Sequence, residues 1–212
     1  VLMILMSLLL AEPFGIFAAI YLVEYAKKGN KMISVVRVTA ETLSGIPSIV
    51  YGLFGMLFFV TALHWEFSML SGAFTLAIMI LPLVMRTTEE ALMAVPDSYR
   101  EGSFGLGAGK LRTVFRIVLP SAIPGILAGV ILGIGRIVGE TAALMYTSGT
   151  VADYAGPMDS GRTLAVHMYV LTSEALHVNE ASATAVVLLV IVIGINALSG
   201  FVAKKLRQKT GA

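Results

Sequence analysis

The chain alternates between long apolar runs and short polar segments. A membrane span needs roughly 20 mostly apolar residues. Five stretches qualify: about Val1 to Tyr25, Thr39 to Leu63, Leu70 to Met93, Ser121 to Tyr146 and Ala181 to Ala203. Irregular backbone at bilayer depth strands polar groups, so each stretch is expected to be helical. The pattern predicts an all-α integral membrane protein, a polytopic helical bundle, with residues 1–212 as one transmembrane domain. Pro13, Pro47, Pro82, Pro120 and Pro124 fall in or at the edges of the runs, where proline kinks or starts a helix. Gly125, Gly129 and Gly133 recur at every fourth position. That spacing lets helix backbones approach closely and predicts a central place for the fourth span.

Lys and Arg orient the connections. Segment 26–38 holds Lys27, Lys28, Lys31 and Arg37; segment 94–119 holds Arg100, Lys110, Arg112 and Arg116; the tail holds Lys204, Lys205, Arg207 and Lys209. Segments 64–69 and 147–180 hold only Arg162, with Glu66, Asp153, Asp159, Glu174 and Glu180. Basic segments are therefore expected in the cytoplasm, with Val1 outside and the C-terminus inside. An outside start inside an apolar run leads us to expect a preceding helix, six spans in the intact protein. In the outer segment, Asp153 to Arg162 reads as loop and Thr163 to Leu176 as a short surface helix. Tyr25, Trp65, Tyr146 and Tyr169 sit near the expected interfaces, as aromatic belts do.

Composition narrows the function classes. The chain is 57% hydrophobic and 13% charged, with mean hydropathy +0.88, against about 25% charged residues in soluble domains. The basic residues flank apolar spans rather than one solvated face, which argues against nucleic acid. There is no cysteine, hence no thiol catalyst or thiolate metal site. His64, His167 and His177 are scattered without metal-ligand spacing, so no metal is expected. Ser, His and Asp form no nucleophile arrangement, and adjacent Glu89 and Glu90 face different sides of a helix, better suited to fixing the neighbouring loop than to catalysis. No catalytic residue and no enzyme activity are expected. Gly105-Leu-Gly-Ala-Gly-Lys110 imitates a phosphate loop, but its glycines are one residue too close and Leu111 follows the lysine.

Glu89 to Pro120 is the one long polar interruption between two apolar regions. After Pro96 it reads as two short helices joined by Gly102, Gly105, Gly107 and Gly109. Leu111, Val114, Phe115 and Val118 fall at helical spacing, with Lys110, Arg112, Thr113 and Arg116 on the other side. Such a cationic amphipathic helix suits docking on a partner protein or on anionic lipid headgroups.

Ionisable groups at bilayer depth face a cavity or a partner. Arg136 and Glu140, four apart in the fourth span, form either an ion pair along the helix or a positioned cation in a pathway. Arg86, late in the third span, either snorkels to the surface or makes a second anion contact. Glu12 interrupts the first span and is expected to meet a basic group of a partner or the bundle interior; Glu41 pairs with Arg37 near the surface.

The polar stretch resembles the EAA motif of ABC importer permeases: Glu101-Gly102-Ser103, three residues, Gly107, nine residues, then Ile117-Val118-Leu119-Pro120. Gly and Ser stand where two alanines are usual. Gly45-Ile-Pro-Ser-Ile-Val-Tyr-Gly-Leu-Phe-Gly55, Arg86-Thr-Thr-Glu-Glu-Ala-Leu92, Arg136-Ile-Val-Gly-Glu-Thr-Ala142 and Ala19 to Ala26 are similar to phosphate permeases, the PstA type more than the PstC type. The resemblance runs from about Phe14 to Lys205 and implies the type I ABC importer permease architecture.

It also implies a multi-pass subunit of a prokaryotic plasma (inner) membrane, half of the path for inorganic phosphate. Its implied partners are a homologous permease subunit, two cytoplasmic ATPase subunits that bind ATP and Mg, an external phosphate-binding protein and membrane lipids. No cofactor is expected in this chain. Glu101, Gly102, Ser103, Gly107, Lys110, Arg112, Ile117 and Pro120 would form the ATPase-coupling loop, and Arg136, Glu140 and Arg86 the substrate pathway. The rival readings are a PstC-type role, another oxyanion such as molybdate or sulfate, a secondary transporter or channel, and an intramembrane enzyme.

Overall fold

A computed structural model describes residues 1–27, 29–152, 156–173 and 177–210. Lys28, Asp153 and Glu174 fall outside the described residues, as do the side chains of Lys204, Arg207 and Lys209. The described chain is a helical bundle. Helix α1 is Leu2–Ile20, extended by a π-helical turn, Tyr21–Tyr25. Then come α2, Lys31–Ser44, and α3, Ser48–Gly55, extended by a π-helical stretch, Met56–Ala62. The third predicted span is α4, Met69–Met93. A short α5, Asp97–Gly105, precedes α6, Lys110–Thr113, and α7, Leu119–Val138. The remaining helices are α8, Ala142–Met145, α9, Leu164–Ser173, and α10, Val178–Thr210.

Four helices are long and apolar enough to cross a membrane: Leu2–Tyr25, Met69–Met93, Lys110–Val138 and Val178–Leu198. At 1.5 Å per residue, α4 is about 37 Å long, sufficient for the hydrocarbon core.

Three expectations need correction. The second span is not one helix over Thr39 to Leu63, because α2 and α3 meet at a 99° bend. Pro47 removes a backbone donor and forces Ile46 out of helical backbone, which breaks the run there. Tyr51 holds the corner by donating its hydroxyl to the Leu43 carbonyl at 2.7 Å.

The second short helix of the polar loop is not separate either. Lys110 to Val138 is continuous, through a π-helical turn over Val114–Val118. The wider turn lies just before Pro120, whose ring would crowd the preceding turn of a regular helix. The fourth span accordingly starts eleven residues before Ser121 and ends at Val138.

Finally, the third span is the central one. Its apolar window is 61% buried, against 28% for the fourth. Helix α4 packs on α1, α7, α2 and α3. The glycine repeat serves this contact at two positions. A Cβ on Gly125 would lie 2.6 Å from the Ala91 Cβ, and one on Gly129 only 2.1 Å from the Thr87 Oγ1. Gly129→Leu should therefore overpack the α4–α7 seam and cost about 1–3 kcal/mol. A lowered thermal midpoint of the purified protein in detergent checks this.

The connections between helices are fastened at two ends of the bundle. At one end, Arg100 meets Glu24, and the Lys110 ammonium lies 5.2 Å from the centre of the Tyr25 ring. At the other, the Ser68 and Met69 amides donate to the Thr147 and Asp159 carbonyls. Trp65 stacks there on Phe59 and meets Phe74 edge-on. Two apolar clusters fill the bundle, one around Met3, Leu76, Met79 and Leu144, the other around Ile20, Leu92, Val114 and Val118.

Candidate functional site

Between α2, α4 and α7 lies a cavity of about 400 Å³. Its wall holds Arg37, Glu41 and Ser44 from α2, Arg86, Glu89 and Glu90 from α4, and Arg136 from α7. The bend after Ser44 turns α3 away, and the packing of α7 on α4 through Gly125 and Gly129 brings Arg136 to the same cavity as Pro82 and Leu83. Arg86 and Arg136, picked from sequence for their depth, thus face one space.

Each wall cation has its own circumstances. Arg37 Nε lies 3.2 Å from Glu89 Oε2, across the α2–α4 gap. Arg86 Nε lies 3.1 Å from Glu90 Oε1 within α4, both side chains largely exposed. Arg136 forms no ion pair among the described residues, though it lies close enough to Tyr51 for its charge to act there.

Glu140 does not pair with Arg136. Helix α7 ends at Val138, so the two residues do not share a helical face. Glu140 is buried and accepts the Ala143 amide at 3.0 Å, capping α8. That cap fixes Ala143 against α3, where a Cβ on Gly52 would come within 2.8 Å of the Ala143 Cα. The stretches 45–55 and 136–142 therefore pack together, and 86–92 shares the cavity with Arg136.

Arg37 joins the site only through the fold: by sequence it is a topology cation and a partner for Glu41, and nothing in a linear pattern pairs it with Glu89, 52 positions away. Glu12 remains without a hydrogen-bond partner at either carboxylate oxygen among the described residues and does not line this cavity.

The residues expected from sequence to form a coupling loop lie on α5, α6 and the entry to α7. Glu101 and Gly102 are exposed on α5, and Lys110 and Arg112 on α6. Gly107 has φ +83°, the left-handed region that glycine adopts without penalty. Ile117 and Pro120 are half-buried where the loop enters α7. Ser103 is buried. It points inward, its hydroxyl 2.8 Å from that of buried Thr113. Thr113, Val114 and Val118 form the buried face, while Leu111 and Phe115 are exposed. Leu106 (91% exposed), Phe104 and Tyr99 add to an apolar surface rimmed by Arg112 and Arg116.

No group of three or more His, Asp or Glu that could hold a metal occurs among the described residues. His167 lies in α9, with Nδ1 buried and unpartnered. Burial first, and then the charge of Arg162, hold its pKa below the ordinary histidine value.

Residues 11–211 match the family model described as binding-protein-dependent transport system inner membrane component. The chain belongs to this family. Similar proteins include the probable ABC transporter permease protein YqgI of Bacillus subtilis, 41% identical over 68% of this chain and 48% of that protein. The phosphate transport system permease protein PstA of Pasteurella multocida is 42% identical over 74% of this chain and 57% of that protein. PstA 1 of Mycobacterium tuberculosis is 43% identical over 66% and 45%. The resemblance to PstA-type permeases is thus borne out, and the chain spans about half the length of the curated relatives it matches.

Among solved structures, an inward-facing MetNI methionine ABC transporter aligns with TM-score 0.74 at 16% identity, covering 97% of this permease chain and 89% of that chain. A bacterial alginate ABC transporter aligns at 0.66 with 19% identity, covering 95% and 76%. These two matches concern the fold, which is that of type I ABC importer permeases.

Proposed function

We propose that this permease forms half of an ATP-driven import path for inorganic phosphate across a prokaryotic inner membrane, and that the cavity between α2, α4 and α7 belongs to that path. The observation that carries the reading is the meeting of Arg37, Arg86 and Arg136 on one wall, with Arg136 free of any ion pair among the described residues. An arginine fork suits phosphate oxygens; Glu41, Glu89 and Glu90 share the wall, and Glu89 and Glu90 hold Arg37 and Arg86 in ion pairs, which leaves the Arg136 guanidinium as the wall cation available to an anion among the described residues. Similarity to PstA proteins supports phosphate over other oxyanions.

The exposed apolar and cationic surface of Tyr99, Phe104, Leu106, Leu111, Arg112 and Arg116 supports docking of a cytoplasmic ATPase, which would bind ATP and Mg. Arrival of anion from an external binding protein, pairing with a homologous permease and a cytoplasmic C-terminus complete the reading. The chain itself supplies no chemistry. Its residues bind, orient and release the anion while ATPase closure moves the helices.

Uptake of labelled phosphate into proteoliposomes of the assembled transporter tests it. Uptake should require internal ATP and resist excess sulfate and molybdate. Preferential uptake of either competitor would reassign the cargo, and uptake without ATP would replace the importer by a secondary transporter.

A further inference from the structure

Arg100 precedes the Glu101 of the motif, and its side chain is 15% exposed. It makes five hydrogen bonds. Nη2 and Nε donate to Glu24 Oε1 at 2.7 and 3.1 Å. Nη2 also reaches the Leu92 carbonyl at 2.9 Å, and Nη1 the Val95 carbonyl at 2.8 Å and Asp97 Oδ1 at 3.2 Å. These acceptors lie at the end of the first span, at the C-terminal end of α4 and in the first turn of α5. Helix ends leave carbonyls short of helical donors, and Arg100 donates to two carbonyls where α4 ends, those of Leu92 and Val95. The Glu24 side chain is 8% exposed, so its charge is also taken out of water and depends on this partner.

No other ion pair joins α5 to the first span among the described residues. Arg100 makes no hydrogen bond to α2 or α3. Helix α3 seats on α4, where a Cβ on Gly55 would lie 2.2 Å from the Thr75 Oγ1, whereas α2 buries no residue and its one ion pair to α4 among the described residues is Arg37–Glu89. The cavity lies between α2, α4 and α7.

We infer that Arg100 is a positioning residue that transmits force: it locks the docking loop to α1 and α4, so that a push on α5 moves both spans as one body against α2. The inference rests on the reading of the loop as an ATPase dock. Only a planar guanidinium can reach three elements at once. A lysine at this position keeps the charge but presents its donors from a single point.

The test uses the complete transporter with its ATPase and binding protein in proteoliposomes. Arg100→Lys should leave the ATPase bound and hydrolysing, while phosphate moved per ATP falls about tenfold, within the range of allosteric coupling energies. Glu24→Gln, which keeps size and one acceptor oxygen, should lower the same ratio. The double variant should be no worse than the more affected single one, because one link is being cut.

An unchanged ratio in Arg100→Lys, additive losses in the double variant, or loss of bound ATPase would overturn the inference. If the unmodified transporter fails to bind an ATPase or to import phosphate, the functional reading itself fails, a different and separately visible result.

Discussion

Arg136→Gln is expected to slow phosphate uptake by about tenfold or more while the transporter still assembles. The glutamine is shorter than arginine but keeps the apolar stem and one amide donor group, so the helix around it should be little disturbed. What disappears is the cation. A charge-assisted hydrogen bond contributes about 1.5–3 kcal/mol, so at about 1.4 kcal/mol per decade one lost contact slows transport roughly 10- to 150-fold. Loss of a two-pronged contact would exceed that. Arg136 is the residue of choice because Arg37 and Arg86 each already hold a carboxylate. Assembly is checked by co-purification of the ATPase, and uptake by labelled phosphate. Full uptake in the variant would make Arg136 a structural residue.

The second large effect is expected at Gly107. Its φ of +83° lies where L side chains are strained, and for a β-branched residue the strain is of order 1–3 kcal/mol. A Cβ there meets nothing within 4 Å in this chain, so the cost is conformational rather than steric within the permease. Gly107→Val should relieve that strain by rebuilding the turn between α5 and α6. The exposed patch of Leu106, Leu111 and Arg112 would then shift, and the ATPase should fail to co-purify. Helicity and thermal stability of the spans should change little, since the turn is exposed. Unaffected ATPase binding and uptake would remove the loop from the docking surface.

Long apolar runs made three of the spans legible, because bilayer length and hydropathy alone define Leu2–Tyr25, Met69–Met93 and most of Val178–Thr210. The breaks were harder. Pro47 was visible as a kink, but a 99° corner depends on Tyr51 bonding back to Leu43, 8 residues away, and on Gly52 seating against Ala143, 91 residues away. The continuity of Lys110 to Val138 was hidden because three cations interrupt its apolar pattern, although the backbone runs on through a widened turn. Arg86 and Arg136 were legible as charges in apolar surroundings. Arg37 and the Arg100–Glu24 link were not, since both sit in segments where a basic residue is ordinary and only the fold supplies the partner. Glu140 was misread for a related reason. Its spacing from Arg136 implied a shared face, but the helix ends between them.

The absence of native cysteine from this chain allows a direct measurement of the cavity. Ser44 is exposed on the cavity wall, so Ser44→Cys places a single thiol there in this chain. In an assembled transporter that still imports phosphate, the rate of modification by a small charged thiol reagent is followed with and without phosphate during ATP turnover. The account predicts that phosphate slows labelling and that sulfate does not. Labelling that phosphate leaves unchanged, with uptake intact, would place the anion's route elsewhere.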